Sequence, residues 1–153
     1  MLYLLIAFVL TGCAAGITGA VRRSARLPLE RWGGRVRLSR RENDGFAFGF
    51  LRKIKWLPKI VTALCAVALT VFAVPVLFCK GVSAGLKTGI ALLLAGAWAN
   101  VSDRLLHGAV TDYLSLPRAL PRGLRRVVFN LADLFLLMGA IVGAAALLLH
   151  RDG

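Results

Sequence analysis

The sequence predicts an all-α membrane protein: four transmembrane helices, with a small loop domain holding some β-structure between the first two. Three observations lead there. Of 153 residues, 58% are hydrophobic and only 18% are charged, with a mean hydropathy of +0.74; a soluble domain runs to about a quarter charged. Those charges are clustered rather than interspersed, which leaves four long apolar stretches. One polar segment, residues 22–59, stands between the first stretch and the other three.

A helix crossing the hydrocarbon core needs about 20 apolar residues. Residues 1–21 carry no charge and form the first span. Residues 60–78 are also uncharged, and Pro75 is tolerable near one end. In 86–106 the charges Lys87, Asp103 and Arg104 sit near the ends, where they reach the interface. The fourth stretch, 127–149, contains a single charge, Asp133. The chain therefore reads as one integral membrane domain over 1–153. Gly12 with Gly16, Gly85 with Gly89 and Gly139 with Gly143 have the four-residue spacing that lets helix backbones approach.

The formal net charge of +13 would suit nucleic acid, but a chain this apolar places its basic loops against membrane lipids instead. Twelve of the 20 basic residues lie in 22–59 against three acids, Glu30, Glu42 and Asp44, a net +9. Alternation around Val36-Arg37-Leu38 and Phe46-Ala47-Phe48 suggests strands within it. The connection 107–126, with Pro117 and Pro121, is expected to be irregular. Cys13, Cys65 and Cys79 are not at metal-ligand spacing. Leu10-Thr11-Gly12-Cys13 fits a lipobox, but no Lys or Arg precedes it and the apolar run continues beyond it, so the first span is expected to stay uncleaved.

Seven acids remain for chemistry. Asp133 lies inside a span, about 9 Å from its expected start at 1.5 Å per residue, with Asn130 three residues earlier. An ionisable group there defaults to function. Asp103 ends the third span with Asn100 at i−3, and beside Arg104 it reads as a structural ion pair. Asp112 follows in the next connection, where a lone aspartate is usually a solvated turn residue. Spans three and four are antiparallel neighbours, so Asp103, Asp112 and Asp133 share one membrane face. Two carboxylates at one desolvated site raise each other's proton affinity, the arrangement of aspartic peptidases.

Four segments together resemble the motifs of signal peptidase II, the bacterial lipoprotein signal peptidase. They are Asn43-Asp44-Gly45-Phe46-Ala47-Phe48-Gly49, Asn100-Val101-Ser102-Asp103-Arg104, Gly108-Ala109-Val110-Thr111-Asp112-Tyr113 and Phe129-Asn130-Leu131-Ala132-Asp133. The resemblance implies an intramembrane aspartyl endopeptidase that removes signal peptides from diacylglyceryl-modified prolipoproteins, cutting before the lipobox cysteine. It assigns Asp112 and Asp133 to the catalytic dyad, Asn43, Asn100, Arg104 and Asn130 to the substrate site, and Asp103 to a supporting role. It implies no metal and no cofactor. The partners it implies are lipid-modified prolipoprotein signal peptides, membrane lipids and a globomycin-type inhibitor; nucleic acid is not among them.

Phe46 stands where the family has a small residue. Near the end of the first span the family carries an Asp-Gln pair followed shortly by Lys, whereas this chain reads Gly16-Ile17-Thr18-Gly19-Ala20-Val21-Arg22-Arg23. An aspartyl peptidase acting on another membrane substrate, or a non-catalytic four-span interaction protein, remain as alternatives. The resemblance places the chain in the bacterial cytoplasmic (inner) membrane, multi-pass, with its active site toward the outer face. Charge pulls the other way: 17 of the 20 Lys and Arg lie on the face of the first and third connections, which the positive-inside rule would put in the cytoplasm.

Overall fold

The computed structural model describes residues 1–31, 33, 35–45, 56–116 and 127–149. Four long helices alternate with short strands in the order α1 (Leu2–Arg23), β1 (Leu29–Arg31), β2 (Val36–Asn43), α2 (Leu57–Phe78), α3 (Ala84–His107), β3 (Val110–Ser115), β4 (Val128–Phe129) and α4 (Leu131–Leu149). All four helices are long and apolar enough to cross a membrane. Their outer faces carry large exposed side chains, among them Phe8, Leu64, Phe72, Leu137, Ile141 and Leu148. In water these would be costly; against lipid they are matched.

Helix α3 is the central element. Nearly half of its membrane-length window (44%) is buried, against 17% in each of the others. Ser83 caps its start, accepting from Leu86 N at 3.2 Å, and Gly108 ends it with φ 88°. The helices meet on small residues: Ala7, Ala73 and Ala91 join the first three, and Ala14, Ala99 and Ala132 join α1, α3 and α4. The α3–α4 seam is closest. A Cβ on Gly96 would stand 2.5 Å from Ala132 O, and one on Gly139 would stand 2.7 Å from Gly89 O. Gly12 and Gly16, spaced in the same way, have nothing within 4 Å of such a Cβ. The spacing therefore marks a contact on α3 and α4 but not on α1.

The strands form one antiparallel sheet in the order β1-β2-β3-β4 at one end of the bundle. Strand β2 covers the alternation at Val36-Arg37-Leu38; the one at Phe46-Ala47-Phe48 lies outside the described residues. Part of the connection after α3, expected to be irregular, is instead an interior strand: β3 pairs with β2 through Arg41↔Asp112 and Asn43↔Val110, and with β4 through Leu114↔Phe129, while Pro117 and Pro121 lie outside the described residues. Its main partner lies some 70 residues away, so local pattern and nearby prolines gave no sign of it.

The fourth helix also starts later than the apolar run suggests. Val128 and Phe129 belong to β4, and α4 begins at Leu131. Asp133 consequently stands in the first turn of α4 rather than six residues into it.

Candidate active site

Asn130 lies between the sheet and α4 and is 3% exposed. Its backbone N–H donates to Asp133 Oδ2 at 3.1 Å, and Asp133 N–H donates back to Asn130 Oδ1 at 2.9 Å. This is a reciprocal helix cap, with an asparagine at the cap and a carboxylate three residues on. The Asn130 Nδ2 is left free to point away from the helix. It donates to Asp112 Oδ1 at 3.1 Å and to Asn100 Oδ1 at 3.2 Å. Asn100 Nδ2 in turn donates to Asp133 Oδ1 at 3.1 Å. One asparagine therefore bonds both carboxylates, and a second braces it.

Asp112 sits on β3 with its backbone opposite Arg41, and Asn43 Nδ2 donates to its other oxygen, Oδ2, at 3.1 Å. Burial pushes the Asp112 carboxyl up from its ordinary 3.8 to about 6, and the neighbouring Asp133 charge adds to the rise. The hydrogen bonds from Asn43 and Asn130 and the Arg104 charge pull the other way. Tyr113, the next residue, faces the helices: its hydroxyl accepts from Leu131 N at 3.1 Å. Arg104 is buried and donates to Gly45 O at 2.7 Å, so α3 holds the turn that follows Asn43.

Asp103 and Arg104, adjacent in sequence, do not pair with one another among the described residues. Successive helix positions do not face each other, and Asp103 turns to the opposite side from Arg104's partner. Its Oδ1 lies 3.2 Å from Arg22 Nη2 and 2.9 Å from His107 Nδ1, and its Oδ2 accepts from Thr111 N at 2.6 Å. Of the three aspartates expected on one face, Asp112 and Asp133 meet around Asn130. Asp103 stands behind them, holding the strand that carries Asp112.

Arg22 and Tyr113 were not expected at the site. A cation after a 21-residue uncharged run reads as an ordinary interfacial anchor, so nothing local distinguished Arg22. Among the described residues, no group of three or more His, Cys, Asp or Glu is arranged to hold a metal ion.

Four membrane-length helices, with two aspartates bridged by one asparagine at the bundle's end, define a polytopic membrane protein with a paired-carboxylate site. The family profile described as Signal peptidase (SPase) II matches residues 6–149, and the chain belongs to that family. It is 34% identical over 112 residues to a lipoprotein signal peptidase of Neisseria meningitidis serogroup C (strain 053442), covering 72% of this chain and 66% of that protein. It is 37% identical over 100 residues to the lipoprotein signal peptidase of Clostridioides difficile (strain 630), covering 65% of this chain and 62% of that protein. The chain thus spans a little under two thirds of these relatives' length. A solved bacterial membrane enzyme, determined by the in meso method at 2.3 Å resolution, superposes with a TM-score of 0.77 at 26% identity, over 95% of this chain and 87% of its own.

Proposed function

We propose that the protein is an aspartyl endopeptidase that removes the signal peptide from diacylglyceryl-modified prolipoproteins, cutting before the lipobox cysteine. The observation that carries this reading is Asn130, whose side chain bonds Asp112 while its backbone bonds Asp133. Two carboxylates drawn to one desolvated site raise each other's proton affinity, and in this reading the pair holds one proton between them. The member that holds it donates to the scissile carbonyl oxygen, while the ionised member takes a proton from the attacking water; burial raises Asp112 to about 6, within reach of that exchange. Asn43 and Asn100 hold the two carboxylates in place, and Arg104, whose guanidinium is bonded to Gly45 O, is given the role of orienting the substrate backbone. Membership of the signal peptidase II family and the likeness to lipoprotein signal peptidases supply the substrate class.

In this reading the chain sits in the bacterial cytoplasmic membrane, with the sheet and the aspartates at the outer face. The basic segment between α1 and α2 lies against anionic headgroups there, and a globomycin-type inhibitor competes for the same aspartates. The test is cleavage of a synthetic lipobox peptide by purified full-length protein, with and without the diacylglyceryl group on its cysteine, and with Asp112→Asn as control. Cutting only of the lipidated peptide, lost in the control, is expected. Cutting of unmodified peptides alone would favour an aspartyl peptidase of another substrate, and no cutting of any peptide would favour a non-catalytic role.

A further inference from the structure

We propose that Arg22 is a positioning residue for Asp112, acting through Asp103 and the backbone that leads into β3. The proposal rests on the aspartyl reading above. Arg22 is the penultimate residue of α1, yet its side chain is only 16% exposed. Its Nη2 reaches Asp103 Oδ1 at 3.2 Å and donates to Ala109 O at 3.0 Å, and its Nη1 lies 3.6 Å from Glu42 Oε1. Its own carbonyl accepts from Arg40 Nη1 at 2.8 Å. One guanidinium thus links α1 to α3, to β2 and to the turn before β3.

The consequence lies in what Asp103 does with its other oxygen. Oδ2 accepts from Thr111 N at 2.6 Å. The short path from Ala109 to Thr111 is therefore gripped twice, at a carbonyl by Arg22 and at an amide by its ion-pair partner. Asp112 is the next residue. Asp103 is nearly buried (9% side-chain exposure), and a buried carboxylate without a cation is strongly unfavourable. His107 also touches it but is 42% exposed and is charged only when protonated. Arg22 supplies the permanent charge, in a fork that reaches two acceptors at once, which a lysine ammonium does not reproduce.

The test is steady-state cleavage of the lipidated lipobox peptide by full-length Arg22→Gln, Arg22→Lys, Asp103→Asn and the Arg22→Gln/Asp103→Asn double variant, each normalised to folded protein. Arg37→Gln, which removes the exposed pair with Glu30, is the control and should match wild type. Arg22→Gln should lower kcat by about tenfold to a hundredfold at little-changed KM, as a misplaced reacting group does. Arg22→Lys should recover part of that loss, and the double variant should be no worse than its worse parent, because the two residues act as one unit. A kcat for Arg22→Gln within about twofold of wild type, a lysine no better than glutamine, or fully multiplicative losses would each overturn the proposal. If wild type cuts nothing, the functional reading fails by itself. Hydrogen exchange over residues 109–112 then decides the link, expected to quicken in Arg22→Gln and overturning the proposal if unchanged.

Discussion

Asn130 and Asp133 cap one another at the start of α4, with hydrogen bonds of 2.9 and 3.1 Å running in opposite directions between them. The start of a membrane helix and the spacing of two carboxylates are therefore one structure. Asn130→Ala should cost about 1 kcal/mol of stability through the lost cap and lower kcat by about a hundredfold through the lost bridge to Asp112. Asn130→Asp keeps a good cap residue but replaces the Nδ2 donor with a third carboxylate. Buried beside Asp112 and Asp133 without a cation, that carboxylate should lower Tm and leave the protein inactive; an active Asn130→Asp protein would show that the bridge is dispensable.

The paired carboxylates should fail together. Asp112→Asn and Asp133→Asn should each reduce cleavage by about 10⁴-fold or more while leaving the protein folded, since members of a catalytic unit are not additive. Asp103→Asn should be milder, because its oxygens hold Arg22 and the Thr111 amide rather than the other aspartates. Peptide cleavage with a melting curve for each variant checks all three, and residual turnover in either dyad variant would remove that residue from the chemistry.

The pH dependence follows from Asp112. Its folded value, about 6, lies above the ordinary 3.8, so between the two the folded chain binds the extra proton. The contribution of Asp112 to stability is fully present below 3.8 and is lost as pH rises through about 6. Cleavage, needing that proton, should decline as pH rises through the same point. Asn43 donates to the ionised form, so Asn43→Ala should move the alkaline limb of the kcat profile upward, by about one unit if the lost bond is a charge-assisted one. A limb that stays put or moves down would contradict the role given to Asn43.

Gly96→Ala should destabilise the protein by about 1–3 kcal/mol, since the new methyl would overlap Ala132 O and Leu136 and push α4 off α3. Gly12→Ala, with open space at its Cβ, should leave Tm unchanged or raise it slightly. Thermal melts in one detergent compare the two directly. Equal effects would mean that the α3–α4 seam is not closely packed.

Orientation is the point where two physical expectations oppose each other. The face carrying the sheet and the aspartates also carries 17 of the 20 Lys and Arg, which on charge alone belongs in the cytoplasm. Lipoprotein processing requires it outside. Reporter fusions between Leu29 and Arg31 and at the C-terminal end should report outside and inside respectively. A cytoplasmic signal from the first position would exclude lipoprotein processing while leaving an inward-facing aspartyl site.

Composition and the spacing of charges along the chain determined that it belongs in a bilayer, and with how many spans. Four runs near 20 apolar residues are a property of transfer free energy, which is local and additive along the chain. The order of Asn43, Asn100, Asp112, Asn130 and Asp133 was equally legible, because the resemblance is carried by residue type and spacing. Only the tertiary structure decided where α4 begins, since Val128 and Phe129 are as suited to a span as to a strand until β3 lies beside them. It also decided that Asp103 belongs to Arg22 rather than to its neighbour Arg104. Those outcomes depend on which backbone and which charges arrive from distant parts of the chain to satisfy a buried polar group, and a one-dimensional pattern carries no record of that.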